Sequence, residues 1–251
     1  MTQQSPGIVN FDSNISCKLC SNTVDIWQIN YPEYTFRVGD FEAPTWFEHE
    51  KYYCPACHFL WADVFSDMSL DEYGKKYVEN NYEHQRRPTE SRMVFAPLLL
   101  ARLIWNTGGR RFLDYGCGYN YPYIYELRSR GIDLWGCDIS SAVNYSRYIR
   151  RLPVDRFEDN FFDGIYSIDV MEHISDIEND FNDMKRIIKP GGYILHNTIS
   201  LDSYWKGDKQ APDDPMVWAP WHCSVFSDKS ANTLADTLGL EFVGRIKTRS
   251  D

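Results

Sequence analysis

Two short runs carry the residue types that could do chemistry on a bound ligand. Phe112-Leu113-Asp114-Tyr115-Gly116-Cys117-Gly118 reads as a buried strand running into a glycine turn, and Trp135-Gly136-Cys137-Asp138 as a second strand ending in a carboxylate. Gly116 and Gly118 let the backbone pass close to a ligand at the amino end of the following helix. Asp138 lies about 20 residues beyond the turn, the spacing at which an acidic side chain reaches the paired hydroxyls of a ribose. That is the pattern of a grip on a nucleotide-like cofactor. On their own, Asp138 also suits the cap of a following helix, and Asp114 a buried carboxylate that fixes the loop. The two kinds of role are compatible.

Cysteine supplies the second constellation. Cys17 and Cys20 form one Cys-x-x-Cys knuckle and Cys54 and Cys57 another. Four thiolates arriving in two such pairs suit the tetrahedral geometry of zinc. Full thiolate ligation leaves no open coordination position, so the ion would be structural. The alternative is four buried, reduced thiols.

These groups need a scaffold, and the chain between them alternates regularly. Ser69-Leu70-Asp71-Glu72 fits a capping box that opens a helix, and the polar run over residues 80–90 suits a domain boundary. A helix is expected over residues 94–106 with Pro97 in its first turn, stopped by Gly108 and Gly109. Strand, turn and helix follow through Arg130, then a strand over 132–137, a helix over 141–151 and a short strand over 154–157. A fourth strand over 164–170, an amphipathic helix over 176–188, a Lys189-Pro190-Gly191-Gly192 turn and a fifth strand over 193–198 complete the run. A sixth strand is expected over 242–247. The fold class is therefore α/β, a doubly wound, mostly parallel sheet that binds its ligand beyond the carboxyl ends of the strands. Residues 1–85 form a small zinc-binding module with its linker helix, and residues 86–251 form the cofactor domain.

With Leu113-Asp114-Tyr115-Gly116-Cys117-Gly118, Gly136-Cys137-Asp138, Asp169-Val170-Met171-Glu172-His173 and Lys189-Pro190-Gly191-Gly192-Tyr193 in this order, the chain resembles the class I S-adenosylmethionine-dependent methyltransferases. Dehydrogenases share the glycine turn, but the Glu-His block and the Lys-Pro-Gly-Gly turn favour methyl transfer. The resemblance implies S-adenosylmethionine as cofactor, with Gly116 and Gly118 against its methionine part and Asp138 on its ribose. Asp114 would orient the turn or meet the amino group, and Asp169 joins the cofactor set. The chain departs from the family at Asn120, where glycine is usual, although Asn tolerates left-handed backbone angles. The short third strand leaves the residue facing the adenine open between Asp155 and Glu158.

Methyl transfer is an in-line displacement to which a protein contributes mostly alignment and dry surroundings. A sugar hydroxyl is too weak an acid to react unaided, and His173 is the candidate base. It could equally cap the next helix. Asp169, Glu172 and His173 also resemble the divalent-metal cluster of the quinone-pathway O-methyltransferases. The aromatic segment over residues 200–221, with Trp218, Trp221 and the adjoining His222, reads as a lid over the acceptor or as plain cover for the sheet edge. Tyr119 stands beside the cofactor turn and could line the methyl pocket. The acceptor implied is a small molecule, by family analogy a sugar, nucleotide-sugar or glycan precursor. An inactive scaffold that binds a protein partner through the zinc module is the competing reading.

Composition bounds the rest. A formal charge of -10 argues against a nucleic-acid partner, and 43% hydrophobic residues allow a full core. Residues 97–105, the richest apolar run, are too few and contain Arg102, so no membrane insertion is expected. The opening residues lack a signal pattern, which points to the cytoplasm and to cysteines that bind metal or stay reduced. Nothing in the sequence sets the oligomeric state.

Overall fold

The structure is a computed structural model that describes residues 5–10, 15–38, 41–77, 90–118, 121–139, 145–152, 157–205 and 210–246. Two compact units divide the chain: Met68–Met171 with Glu178–Thr198, and Met1–Asp67 with Glu172–Ile177 and Ile199–Asp251. Among the described residues no helix is long and apolar enough to cross a membrane.

The first unit opens with helix α1 (Leu70–Tyr77). Its start is the expected capping box, with the Glu72 amide donating to Ser69 Oγ at 3.3 Å and the Ser69 amide to the Glu72 carboxylate at 3.0 Å. Helix α2 (Glu90–Thr107) begins earlier than expected, which leaves Pro97 inside the helix and not in its first turn. Gly108, with φ +61°, ends it. A parallel sheet follows: β7 (Arg111–Tyr115), β8 (Asp133–Asp138), β9 (Ile149–Arg151), β10 (Phe162–Ile168) and β11 (Ile188–Asn197), with helices α3 (Tyr121–Ser129) and α4 (Ile177–Ile187) between strands. The order across the sheet is β11-β10-β7-β8-β9. The chain therefore reverses direction across the sheet at the β7–β10 junction, the switch point where such sheets bind ligands.

The sheet forms because its strands are almost continuously apolar. Phe112, Leu113, Leu134, Phe162 and Ile165 are fully buried, and Leu100, Leu103 and Ile124 of the helices pack into the same unit. Each such side chain stabilises the fold by about 1.5–3 kcal/mol. Asp163 sets the registration of the strand starts: it accepts from the amides of Arg110 and Arg111 at 3.0 and 2.9 Å and from Lys189 Nζ at 2.7 Å. The expected Lys189–Gly192 turn is present as a break in register, with Phe162 opposite Ile188 and Gly164 opposite Tyr193.

Three expectations need correction here. Residues 145–148 are not helical, and the third strand is Ile149–Arg151, not residues 154–157, of which 153–156 lie outside the described residues. Only Ile149 of that strand is buried, so it carries no readable period. Residues 241–246 form no strand. The expected division near residue 85 falls within 78–89, also outside the described residues.

The second unit is antiparallel. Its sheet runs β1 (Gly7–Asn10), β2 (Trp27–Tyr31), β5 (His49–Cys54), β6 (Phe59–Trp61) and β12 (Ser224–Val225), beside a hairpin of β3 (Tyr34–Val38) and β4 (Phe41–Trp46). The edge strand β12 comes from the far end of the chain, with Ser224 opposite Trp61. Helices α5 (Leu201–Tyr204) and α6 (Pro215–Trp218) lead up to it. Leu201, Trp205, Val217 and Trp218 join Ile29, Tyr31, Tyr53 and Leu60 in one core. Helix α7 (Asp228–Leu238) starts at a Ser227/Ser230 capping box and stops at Gly239, whose φ is +66°.

His49 of β5 is 5% exposed and stacks on Tyr31 with ring centroids 5.4 Å apart. Burial, with Lys51 nearby, lowers its pKa to about 3. The unfolded chain protonates this ring first, so stability is complete above about pH 6.5 and falls as pH drops toward the folded value. Urea unfolding should show up to about 1.4 kcal/mol more loss between pH 6.5 and 5.5 in the wild type than in His49→Phe. Equal slopes would rule out this role for His49.

Candidate functional site

The cofactor turn joins β7 to α3. Gly116 and Gly118 both take positive φ, +74° and +53°. At Gly116 side-chain space is also lacking, because a Cβ there would lie 2.5 Å from Val170 Cγ2. The amides of Gly116 and Cys117 donate to the Cys137 carbonyl at 2.8 and 3.0 Å, which ties the turn to the end of β8. Gly118 donates its amide to Asp138 Oδ2 at 2.8 Å. Asp138 therefore points at the glycine turn. Gly136 keeps the approach open: a Cβ there would sit 2.4 Å from Ile124 Cδ1.

Asp114 and Asp138 are 6% and 5% exposed. Their charges reach Cys117, whose thiol is pushed well above its usual range by burial first and by the two carboxylates next. Tyr123 of α3 contributes a buried hydroxyl without a hydrogen-bond partner among the described residues, raised in pKa by burial and by Asp114. Two buried carboxylates and a phenol around a positive-φ glycine turn form an electronegative cup. S-adenosylmethionine presents hydroxyls, an ammonium and a sulfonium, so these residues fit it. Asp169 follows β10 at φ +52°, with its amide donating to the Asn197 carbonyl at 2.9 Å. A non-glycine residue held there is mildly strained, as is common beside functional sites. Tyr119, Asn120 and Asp155 lie outside the described residues.

In the other unit, the two Cys-x-x-Cys knuckles converge. Cys17 and Cys57 have sulfurs 3.6 Å apart, as do Cys20 and Cys54. A tetrahedral ion with sulfur bonds of about 2.3 Å spaces its sulfurs about 3.8 Å apart, whereas a disulfide would bring them to about 2.05 Å. The Leu19 amide donates to Cys17 Sγ at 3.4 Å. All four sulfurs lie within 4.8 Å of one another, so the set could hold a metal ion.

His173 and His222 also come together in this unit, with ring centroids 4.9 Å apart. The 3-10 turn Met171–His173 supplies His173 and the buried Glu172, and the loop after α6 supplies His222. Ligand atoms of Glu172, His173 and His222 lie within 4.8 Å of one another. This set shares Glu172 and His173 with the cluster that resembles the quinone-pathway enzymes and has His222 as its third member. No short-range pattern could show this, because 49 residues separate the two histidines. Burial, followed by His173, holds the His222 ring well below its usual pKa.

A fully buried lysine fixes that loop. Lys51 Nζ donates to the carbonyls of Val217, Ala219 and His222 at 2.5, 2.8 and 3.0 Å. Three acceptors satisfy the three donors of an ammonium. Sequence reading missed this residue, since one lysine in an alternating strand looks solvated. Trp218 is 2% exposed, with its ring 4.5 Å from Tyr34 and its Nε1 donating to the Pro32 carbonyl, and Trp221 stacks on Phe65 at 4.4 Å. These contacts favour the sheet-cover alternative for the two rings.

The methyltransferase domain family matches residues 82–244. Among curated proteins, the chain is 26% identical over 115 residues to the ubiquinone biosynthesis O-methyltransferase of Alkalilimnicola ehrlichii, covering 40% of this chain and 46% of that protein. It is 31% identical over 121 residues to phosphoethanolamine N-methyltransferase 2 of Caenorhabditis elegans, covering 42% and 26%. The chain thus spans less than half the length of these relatives. A solved S-adenosylmethionine-dependent methyltransferase from Aquifex aeolicus is 18% identical with a TM-score of 0.42, over 71% of this chain and 92% of that one. With its glycine turn and a family match over most of its length, the chain belongs to the methyltransferase domain family.

Proposed function

We propose that the protein methylates a hydroxyl of a small molecule, with a sugar, nucleotide-sugar or glycan precursor as preferred acceptor. The observation that carries the cofactor half is the Asp138 carboxylate held against the Gly118 amide at 2.8 Å. S-adenosylmethionine, when bound, supplies a methyl group on a sulfonium. Asp138 accepts from its ribose hydroxyls, Gly116 and Gly118 admit its methionine part, and Asp114 accepts from its amino group. Asp169 completes that set, and Tyr119 belongs to the methyl pocket.

His173 is the group that activates the acceptor. Its Nδ1 lies 2.7 Å from the Trp221 carbonyl, which can only accept, so Nδ1 carries the proton and Nε2 the lone pair. A neutral ring in this tautomer takes a proton from a hydroxyl as its oxygen bonds to carbon. Relatives named as methyltransferases of ubiquinone biosynthesis, of phosphoethanolamine and of sterols support a small-molecule acceptor. The sugar preference rests on the resemblance to zinc-bearing methyltransferases. Zinc in the four-thiolate set is structural, because every coordination position is filled. Seven free cysteines suit a reducing, cytoplasmic setting.

Calorimetric titration with S-adenosylmethionine should give saturable heat for the wild type and none for Gly116→Ala, which strains the turn and meets Val170. A wild type without heat would leave an inactive scaffold in place of an enzyme. Replacing Cys57 with Ser should lower the bound zinc by one ion per chain relative to the wild type and reduce the melting temperature of the second unit. Full zinc retention would refute four-thiolate ligation. For His173→Ala, turnover on a hydroxyl acceptor should fall about 10²–10⁴-fold while cofactor affinity is kept. An unchanged turnover would remove the base.

A further inference from the structure

We infer that Glu172, His173 and His222 form a second metal site, for a divalent transition ion held by two imidazoles and one carboxylate. The ligand atoms already lie within 4.8 Å of one another. An ion bonded at about 2.1 Å in a tetrahedron spaces its ligands about 3.4 Å apart, so the cluster needs to close by roughly an ångström at its widest.

The hydrogen bonds around the two rings carry the inference beyond proximity. His173 Nδ1 faces the Trp221 carbonyl at 2.7 Å, and His222 Nδ1 faces the Met216 carbonyl at 2.5 Å. Both carbonyls only accept, so both rings carry hydrogen on Nδ1 and a lone pair on Nε2. A backbone carbonyl on the far nitrogen is the outer-shell arrangement that orients metal-binding histidines and raises their basicity. Both histidines of the cluster show it, beside a carboxylate that is 2% exposed.

The supporting frame is rigid. Lys51 holds the carbonyls of Val217, Ala219 and His222, and Ser224 Oγ donates to the Ile174 carbonyl at 2.6 Å, one residue beyond His173. Trp221, which supplies the carbonyl for His173, is stacked on Phe65. Two imidazoles and a carboxylate are borderline ligands that favour zinc, cobalt or iron over magnesium and calcium. Three protein ligands leave a position open, in contrast to the closed four-thiolate set. An oxygen ligand at that position, water or an acceptor hydroxyl, would be a stronger acid than in solution. The ion would then hold the His173 lone pair and perform the activation itself. This last consequence rests on His173 as the acceptor-activating group, whereas ion binding does not.

Cobalt(II) is the probe, because thiolate ligation gives intense sulfur-to-metal charge transfer and nitrogen-oxygen ligation gives only weak visible bands. The full chain, stripped of metal and kept reduced, should take up two equivalents of cobalt, one with the thiolate signature and one without it. His222→Ala should lose only the second, and Glu172→Gln should weaken it at least tenfold. A single equivalent in the wild type overturns the site, as does a second equivalent unchanged in both variants. The thiolate band reports folding. If His222→Ala lacks that band, the isosteric Glu172→Gln decides, its weakened binding supporting the site and its unchanged binding overturning it. The readout is cobalt uptake, so an unaltered turnover of His173→Ala bears on the acceptor reading and a missing second equivalent on this one.

Discussion

One buried hydrogen bond, from the Gly118 amide to the Asp138 carboxylate, organises the cofactor side of this chain. It closes only because β7 and β8 run parallel with Tyr115 opposite Cys137, which brings the start of the turn to the end of the second strand. The positive φ values at Gly116 and Gly118 aim the backbone toward β8, and the bare Cα of Gly136 makes room for Ile124 and Cys117. Three glycines thus serve one contact. A hydrogen bond to a charged acceptor stabilises by about 1.5–3 kcal/mol.

The second unit meets a different constraint, because its sheet is assembled from both ends of the chain. Strand β12 pairs with β6, and Trp205, Val217 and Trp218 fill the core over β2 and β5. At the centre stands Lys51, 0% exposed. Burying an ammonium is costly unless each donor is satisfied, and three backbone carbonyls from one short loop do so. Lys51 thereby ties the end of α6 to the residues that follow it. The four-cysteine cluster pins the near end of the same sheet, since Cys54 closes β5.

The parts legible in the sequence were those encoded locally. The glycine turn, the two knuckles, the Ser69/Glu72 capping box and the strands around residues 112 and 164 each show a residue pattern within one element. The illegible parts depended on partners far away in the chain. Strand β9 has one buried residue, and Arg150 lies 5.1 Å over the Trp135 ring, so its sequence mimics an exposed helix. Trp218 and Trp221 looked free to stack on a ligand because Tyr34 and Phe65, which cover them, precede them by more than a hundred residues. His222 gave no sign of its pairing with His173 for the same reason. The Phe242 region shows the reverse error, alternation without a neighbouring strand to pair with.

Burial of those indoles changes the physical character of the segment over residues 200–221. A lid that opens and closes draws on the least stable parts of a fold, with few buried contacts and exposed backbone bonds. Here Trp205, Val217, Trp218 and Trp221 are all below 9% exposure, and Lys51 holds the carbonyls that follow α6. The described parts of the segment, residues 200–205 and 210–221, act as a frame. What it presents is not an aromatic face but a polar group, His222, whose ring is oriented by the Met216 carbonyl. On the proposed function, selection of the acceptor on this side would depend on directed bonds to imidazole and carboxylate, which discriminate by oxygen placement more sharply than ring stacking does.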